Sequence, residues 1–169
     1  IKMKKSISLV GMAGAGKSSI GKKLADHLGF NFIDSDLIIE TEHQESLQRV
    51  LDMSGKENFL KIEEKALMSI EFNNTILATG GSAVFSELAM DYISRRSSII
   101  FIEAPYEKIV KRVSDFSERG FLKKSNQTIQ EAFIERESLY KHYADYVVVN
   151  NTSLEKCLRE ILYLIHQKR

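Results

Sequence analysis

Residues 5–11, KSISLVG, are a short apolar run of the kind that forms a strand, and the chain continues as MAGAGKSS into a segment with helical periodicity. Little else in a sequence restricts a fold so tightly. The pattern G-x-x-x-x-G-K-[ST] is met at Gly11, Gly16, Lys17 and Ser18, and a chance match in a chain of this length is roughly a 1-in-100 event. Strand, glycine loop and helix must follow in that order for the mechanism to work. Gly11, Gly14 and Gly16 let the backbone curl so that successive N–H groups point at phosphate oxygens, and the helix N-terminus adds its partial positive charge. Lys17 can then reach the β- and γ-phosphates, and the Ser18 hydroxyl can ligate Mg²⁺. The residues expected to hold ATP are therefore Gly14, Ala15, Gly16, Lys17, Ser18 and Ser19.

The rest of the chain repeats the alternation. Runs at 31-NFIDSD-36, 75-TILATG-80, 98-SIIFIEA-104 and 145-DYVVVN-150 read as further strands, several of them nearly continuous in apolar residues. Such strands are covered by helices on both faces. Helical periodicity covers about 17–28, 37–52, 57–71, 86–95, 105–114, 127–143 and 153–167. The expectation is an α/β three-layer P-loop fold, a five-stranded parallel sheet flanked by helices, built as one domain over 1–169. The stretch at about 114–126, SDFSERGFLKKSN, is polar and has no clear period. In a compact chain it is either a mobile functional loop or a plain surface excursion.

Composition narrows the function class. With 24 Lys+Arg against 23 Asp+Glu the net charge is +1, so no overall field draws nucleic acid or an anionic membrane. One cysteine, Cys157, excludes an internal disulfide, and the four histidines show no ligand spacing. No apolar run is long enough to span a bilayer. A cytoplasmic monomer acting on a small molecule is the expected class. A GTPase would carry an N/T-K-x-D base-reading element, which is absent.

The phosphate acceptor is foreshadowed by 34-DSD-36. If the second strand runs to residue 36, Asp34 and Asp36 share one side and face the crevice beyond the strand ends, with Ser35 opposite. One carboxylate then serves Mg²⁺ and the other a substrate hydroxyl. The alternative is a pair of turn aspartates capping the next helix.

The motif order resembles the shikimate kinase family, nucleoside monophosphate kinase-like P-loop enzymes, over almost the whole chain. The likeness is carried by 11-GMAGAGKSS-19, 34-DSD-36, 57-ENFLKIEE-64, 79-TGGSAV-84, 119-RGFL-122 and 135-ERESLYKHYADYVV-148. It implies ATP-dependent phosphorylation of the 3-hydroxyl of shikimate. On the matching positions it implies that Lys17 stabilises the transferring phosphoryl group and that Ser18 with Asp34 holds Mg²⁺. Asp36 would take the substrate hydroxyls, with Gly80 and Gly81 close to them. Arg136 would grip the substrate carboxylate, oriented by Glu63. Arg119 would reach the ATP phosphates from a lid at about 114–126, and Arg112 would pack on the adenine. The substrate-binding helical region would be about 37–71. Arg136 and Arg112 also have plainer readings, as a surface ion pair with Glu135 or Glu137 and as a solvated helix residue.

Three positions depart from that pattern. The lid reads Arg119-Gly120-Phe121-Leu122 where the family has R-P-L-L, Ser82 replaces a third glycine, and Leu60 stands where a substrate-gripping arginine is expected. With 57–70 helical, Phe59, Ile62, Ala66 and Ile70 form the predicted buried stripe, Leu60 its edge, and Lys61 turns about 100° further towards solvent.

Overall fold

Strands buried on both faces favour apolar or small side chains, and at their buried positions the three central strands carry only aliphatic residues, phenylalanine, serine and threonine. The computed structural model describes residues 2–113, 116 and 121–168. In it β1 (Ser6–Val10) and β3 (Thr75–Ala78) are buried throughout, and β4 (Ser97–Glu103) is buried except at Glu103. The edge strands β2 (Asn31–Asp34) and β5 (Tyr146–Val149) are more exposed. All pair in parallel in the order β2-β3-β1-β4-β5. Among the described residues this is the five-stranded parallel sheet expected from the apolar runs.

Helices flank the sheet: α1 (Lys17–Leu28), α2 (Ser35–His43), α3 (Leu47–Ser54), α4 (Lys56–Met68), α5 (Glu87–Arg96), α6 (Tyr106–Arg112), α7 (Ile129–Tyr143) and α8 (Leu154–Lys168). A 3-10 turn spans Ala83–Phe85. Ile20, Leu24 and Ala25 of α1 and Ile161 and Ile165 of α8 join the sheet's apolar residues in the main core. A second, smaller cluster contains Ile39, Val50, Leu51, Phe59, Ala66 and Leu122, with Leu60 and Ile62 packed at its margin.

Because the strands are parallel and in register, their carboxyl ends share one edge. Leu9 pairs with Ala78, Val10 with Phe101 and Asp34 with Ala78. Chain leaves β1 between strands that were added in opposite directions, which is where open α/β sheets bind ligands. The phosphate loop emerges at that point.

Two expectations about local structure need correcting. The helix predicted over 37–52 is two helices: α2 ends at His43 and is capped by Gln44, whose φ of 55° is left-handed, and Ser46 caps α3 by accepting from the Arg49 amide at 3.3 Å. A capping serine overrides the periodicity that runs through it. In α4 the buried face is Phe59, Glu63, Ala66 and Leu67, while Ile62 is only half-buried. Glu63 faces inward and lines the cavity, and only Ile62 falls off the stripe that periodicity gave it.

Candidate active site

The loop between β1 and α1 is closed by its lysine. Lys17 Nζ donates to the carbonyls of Gly11 at 2.7 Å and Met12 at 2.8 Å, and the residue is buried. Gly16 caps α1 at φ 98°, and a Cβ there would lie 2.9 Å from Asn150 Nδ2, so only glycine suits both the angle and the space. No acidic side chain occupies the first turn of α1 and none caps it. The orphan amides of that end are left for an anion. Arg112 joins from α6, its Nη1 donating to the Gly14 carbonyl at 3.2 Å. Ala15 behaves differently from its neighbours: its amide donates within the loop to Met12 at 3.1 Å, and it does not line the cavity.

The acidic pair is built otherwise than strand alternation predicts. β2 stops at Asp34, and α2 begins at Ser35. Asp34 is the helix cap, its Oδ1 accepting from the Asp36 amide at 3.0 Å, while its Oδ2 accepts from Ser18 Oγ at 2.6 Å. Capping and site-building are thus done by the same carboxylate. Ser35 points away to accept from the Gly80 amide at 3.0 Å, which pins the 79–82 loop to the start of α2. Asp36, in the first turn of α2, enters the cavity with Oδ1 buried and unpartnered among the described residues. Burial, and then the charge of Asp34, push its carboxyl up to about 6, against the pull of Lys17.

Gly80 is the contact point of this acid with a second one. A Cβ on Gly80 would lie 2.5 Å from Asp36 Oδ1 and 2.7 Å from Glu63 Oε2, so both carboxylates crowd the bare backbone. Glu63 is buried, and Ser82 Oγ donates to its Oε1 at 2.7 Å. The donor is therefore Ser82 rather than Arg136, which sequence suggested. Burial pushes Glu63 up to about 7; the Ser82 bond opposes that, the charge of Asp36 adds to it, and Arg136 and Lys17 oppose it.

Arg136 is 2 % exposed, too enclosed for the surface ion pair that sequence left open. The capping box of Thr128 and Glu131 fixes the start of α7, and Arg136 and Tyr140 follow on one face. The Tyr140 hydroxyl donates to the Gly81 carbonyl at 2.6 Å, and a Cβ on Gly81 would lie 3.1 Å from Arg136 Nη1 and 3.4 Å from the Ala13 amide. Acceptor-side and phosphate-side groups thus meet across one glycine. Arg136 Nη2 donates to the Leu122 carbonyl, and the guanidinium lies over the rings of Phe121 and Phe85, 4.2 and 5.2 Å from their centroids. Its Nε has no partner among the described residues.

One cavity of about 640 Å³ joins these parts. Gly14, Gly16, Lys17, Ser18, Ser19 and Arg112 line it on one side, and Asp36, Glu63, Gly80, Gly81 and Arg136 on the other. Arg119, Gly120 and four other residues of the expected lid at 114–126 lie outside the described residues. Leu60 is not among the lining residues: half-buried, it packs at the margin of the smaller core. Neither nearby lysine fills its place, since Lys61 is exposed and 3.5 Å from Glu57, and Lys65 is exposed.

Sequence missed Asn150, Glu40, Leu47 and Thr79, all of which line the cavity. Asn150 is 2 % exposed, donates from Nδ2 to the Ala15 carbonyl at 2.8 Å and leaves Oδ1 unpartnered among the described residues. Its signal was available: it is a polar residue at the carboxyl end of a predicted strand, the rule that found Asp34.

The family model described as shikimate kinase matches residues 13–166, nearly the whole chain. The chain belongs to the shikimate kinase family. It is 36% identical over 156 residues to a shikimate kinase of Francisella tularensis subsp. novicida, covering 90% of this chain and 89% of the relative. A shikimate kinase of Clostridium botulinum is 33% identical over 164 residues, covering 96% of this chain and 98% of the relative. The structure of shikimate kinase from Acinetobacter baumannii in complex with shikimate superposes with a TM-score of 0.88 at 28% identity, over 99% of this chain and 96% of that one. A gluconokinase from Sinorhizobium meliloti shares the fold at a TM-score of 0.59 and 15% identity. No described helix is long and apolar enough to cross a membrane.

Proposed function

We propose that this shikimate kinase family member transfers the γ-phosphoryl group of ATP to the 3-hydroxyl of shikimate. The observation that carries the reading is the shared cavity: Asp36 and Arg136 line the same space as Lys17 and the loop glycines. A buried guanidinium and a buried carboxylate are the complement of an acid that also bears hydroxyls. In this reading the α1 amides and Lys17 receive the triphosphate tail, and Lys17 leaves its loop carbonyls to follow the phosphoryl group as charge moves. Asp36 accepts from the substrate hydroxyl, and its raised pKa suits proton acceptance better than an ordinary aspartate's. Arg136 takes the carboxylate, and Gly80 and Gly81 let the substrate ring approach the backbone. Arg112 and Asn150 flank the nucleotide end. Arg119 is assigned to the phosphates on the sequence resemblance.

A divalent cation fits the donors present. Ser18 Oγ and Asp34 Oδ2 lie 2.6 Å apart, a hydroxyl and a carboxylate of the hard-oxygen type that Mg²⁺ prefers. Among the described residues no group of three or more His, Cys, Asp or Glu could hold a metal, which suits an ion whose remaining ligands are phosphates and water. Bound there, Mg²⁺ would offset charge on the β- and γ-phosphates.

The test is ADP release with Mg·ATP against shikimate, quinate, gluconate and simple polyols. Saturable turnover with shikimate is expected. Turnover only with an acceptor lacking a carboxylate would remove the assignment.

A further inference from the structure

Ser82 sits where serines usually cap a turn, directly ahead of Ala83–Phe85, yet its side chain makes no capping bond. Its hydroxyl, buried to 5 % exposure, crosses instead to Glu63 on α4. The two residues line the acceptor end of the cavity together with Asp36, Gly80 and Arg136. A hydroxyl differs from a guanidinium as a partner in one decisive respect. Arginine only donates, so it holds a carboxylate ionised; a serine hydroxyl both donates and accepts, so it favours the ionised acid as a donor yet can still bond the protonated acid as an acceptor.

The charge around Glu63 makes the difference matter. Asp36 faces it from α2, Lys17 from α1, and Arg136 and Tyr140 from α7. Leu60, one turn back on α4, brings no cation. When a substrate carboxylate arrives beside Arg136, a third anion joins Asp36 and Glu63 around a single guanidinium while Lys17 attends the nucleotide. A nearby like charge disfavours ionisation. Glu63, already pushed up to about 7 by burial, is the group nearest its balance point at neutral pH.

We infer that Ser82 and Glu63 form a proton-accepting pair, in which a carboxylate docking on Arg136 is accommodated by protonation of Glu63. The proton comes from solvent and settles on Oε1, which then donates to Ser82 Oγ; the hydroxyl turns from donor to acceptor and no other bond is made or broken. The inference rests on the reading that the acceptor is a carboxylate.

The experiment is calorimetric titration of shikimate into the full chain saturated with Mg·ADP at pH 7.5, in buffers of different ionisation enthalpy. The slope of heat against that enthalpy counts protons. Uptake of roughly half a proton per bound shikimate is expected, from a group near pH 7 pushed higher by an anion. The methyl ester of shikimate should bind with no uptake. Glu63→Gln should abolish uptake. Ser82→Ala removes a bond that favours the ionised acid, so its uptake should shrink at pH 7.5 and reappear about one pH unit higher. Infrared difference spectra of the unsubstituted protein read the same event without mutation: shikimate should convert one ionised carboxylate band into a protonated one. Binding heat with no proton uptake, equal uptake with the ester, or uptake that persists in Glu63→Gln overturns the inference alone. No binding heat with shikimate at any concentration overturns the acceptor assignment, and the inference with it.

Discussion

The guanidinium carbon of Arg136 stands 4.2 Å from the ring centroid of Phe121, and its Nη2 donates to the carbonyl of the next residue, Leu122. The 119-RGFL-122 segment, which departs from the family pattern, therefore supplies both a π-face and a backbone acceptor to the arginine proposed to grip the substrate. A desolvated cation–π contact contributes about 0.5–2 kcal/mol. Phe121→Ala should raise the shikimate KM about 2- to 30-fold with kcat little changed, as steady-state kinetics will show. An unchanged KM would mean that the ring covers Arg136 without orienting it.

Leu60→Arg tests the position where this chain lacks a guanidinium. Leu60 is half-buried at the margin of the smaller core, so its loss should destabilise the fold by about 1 kcal/mol. The new arginine lies three residues before Glu63, within reach on one helix face. A charged hydrogen bond to substrate contributes about 1.5–3 kcal/mol, so the shikimate KM should fall about tenfold or more. The same guanidinium would hold Glu63 ionised and suppress proton uptake on binding.

Gly80→Ala should separate acceptor from nucleotide binding. The added methyl would stand 2.5 Å from Asp36 Oδ1 and 2.7 Å from Glu63 Oε2, so both carboxylates must move within an enclosed site. Shikimate KM is expected to rise at least about tenfold, because a displacement of this size disturbs the geometry of the bound acceptor. Fluorescence titration should find ATP affinity within about twofold of the parent. An equal loss of both affinities would mean that the 79–82 loop supports the whole cavity.

Glu63 also leaves a mark on stability. Its folded-state pKa is raised from 4.5 to about 7, so between those values the folded chain holds a proton that the unfolded chain has released. Stability contributed by this group is lost as pH rises from 4.5 towards 7, and is level above that. At about 1.4 kcal/mol per pKa unit the full effect is roughly 3 kcal/mol. Glu63→Gln cannot ionise, so its thermal midpoint relative to the parent should climb between pH 4.5 and 7.5. Parallel pH profiles of the two proteins would contradict the burial of an ionisable Glu63.

How much of this could be read from the linear chain differs from one residue to the next. The phosphate loop was fully legible, because strand, glycines, lysine and helix are contiguous and their conformations follow from local sterics. The five strands were legible from apolar run length. Asp34 and Asp36 were found, but their geometry was misjudged: a helix cap ends β2 two residues earlier than alternation suggested. In α4 the inward position of Glu63 was legible, and only Ile62 was misjudged: periodicity gives the width of a helix's inward face but not its exact roll, and Ile62 is half-buried at its margin.

Sequence alone determined that a nucleotide cradle opens an α/β sheet in this chain, since every group needed lies within about ten residues along the backbone. Only tertiary structure decided which partners the buried polar groups would find: Ser82 for Glu63, Leu122 for Arg136, Asn150 for Ala15. These pairs are 19, 14 and 135 residues apart, respectively. A hydrogen bond acts over about 3 Å, so partners that distant in sequence are chosen by how helices pack on the sheet, which local propensity does not encode.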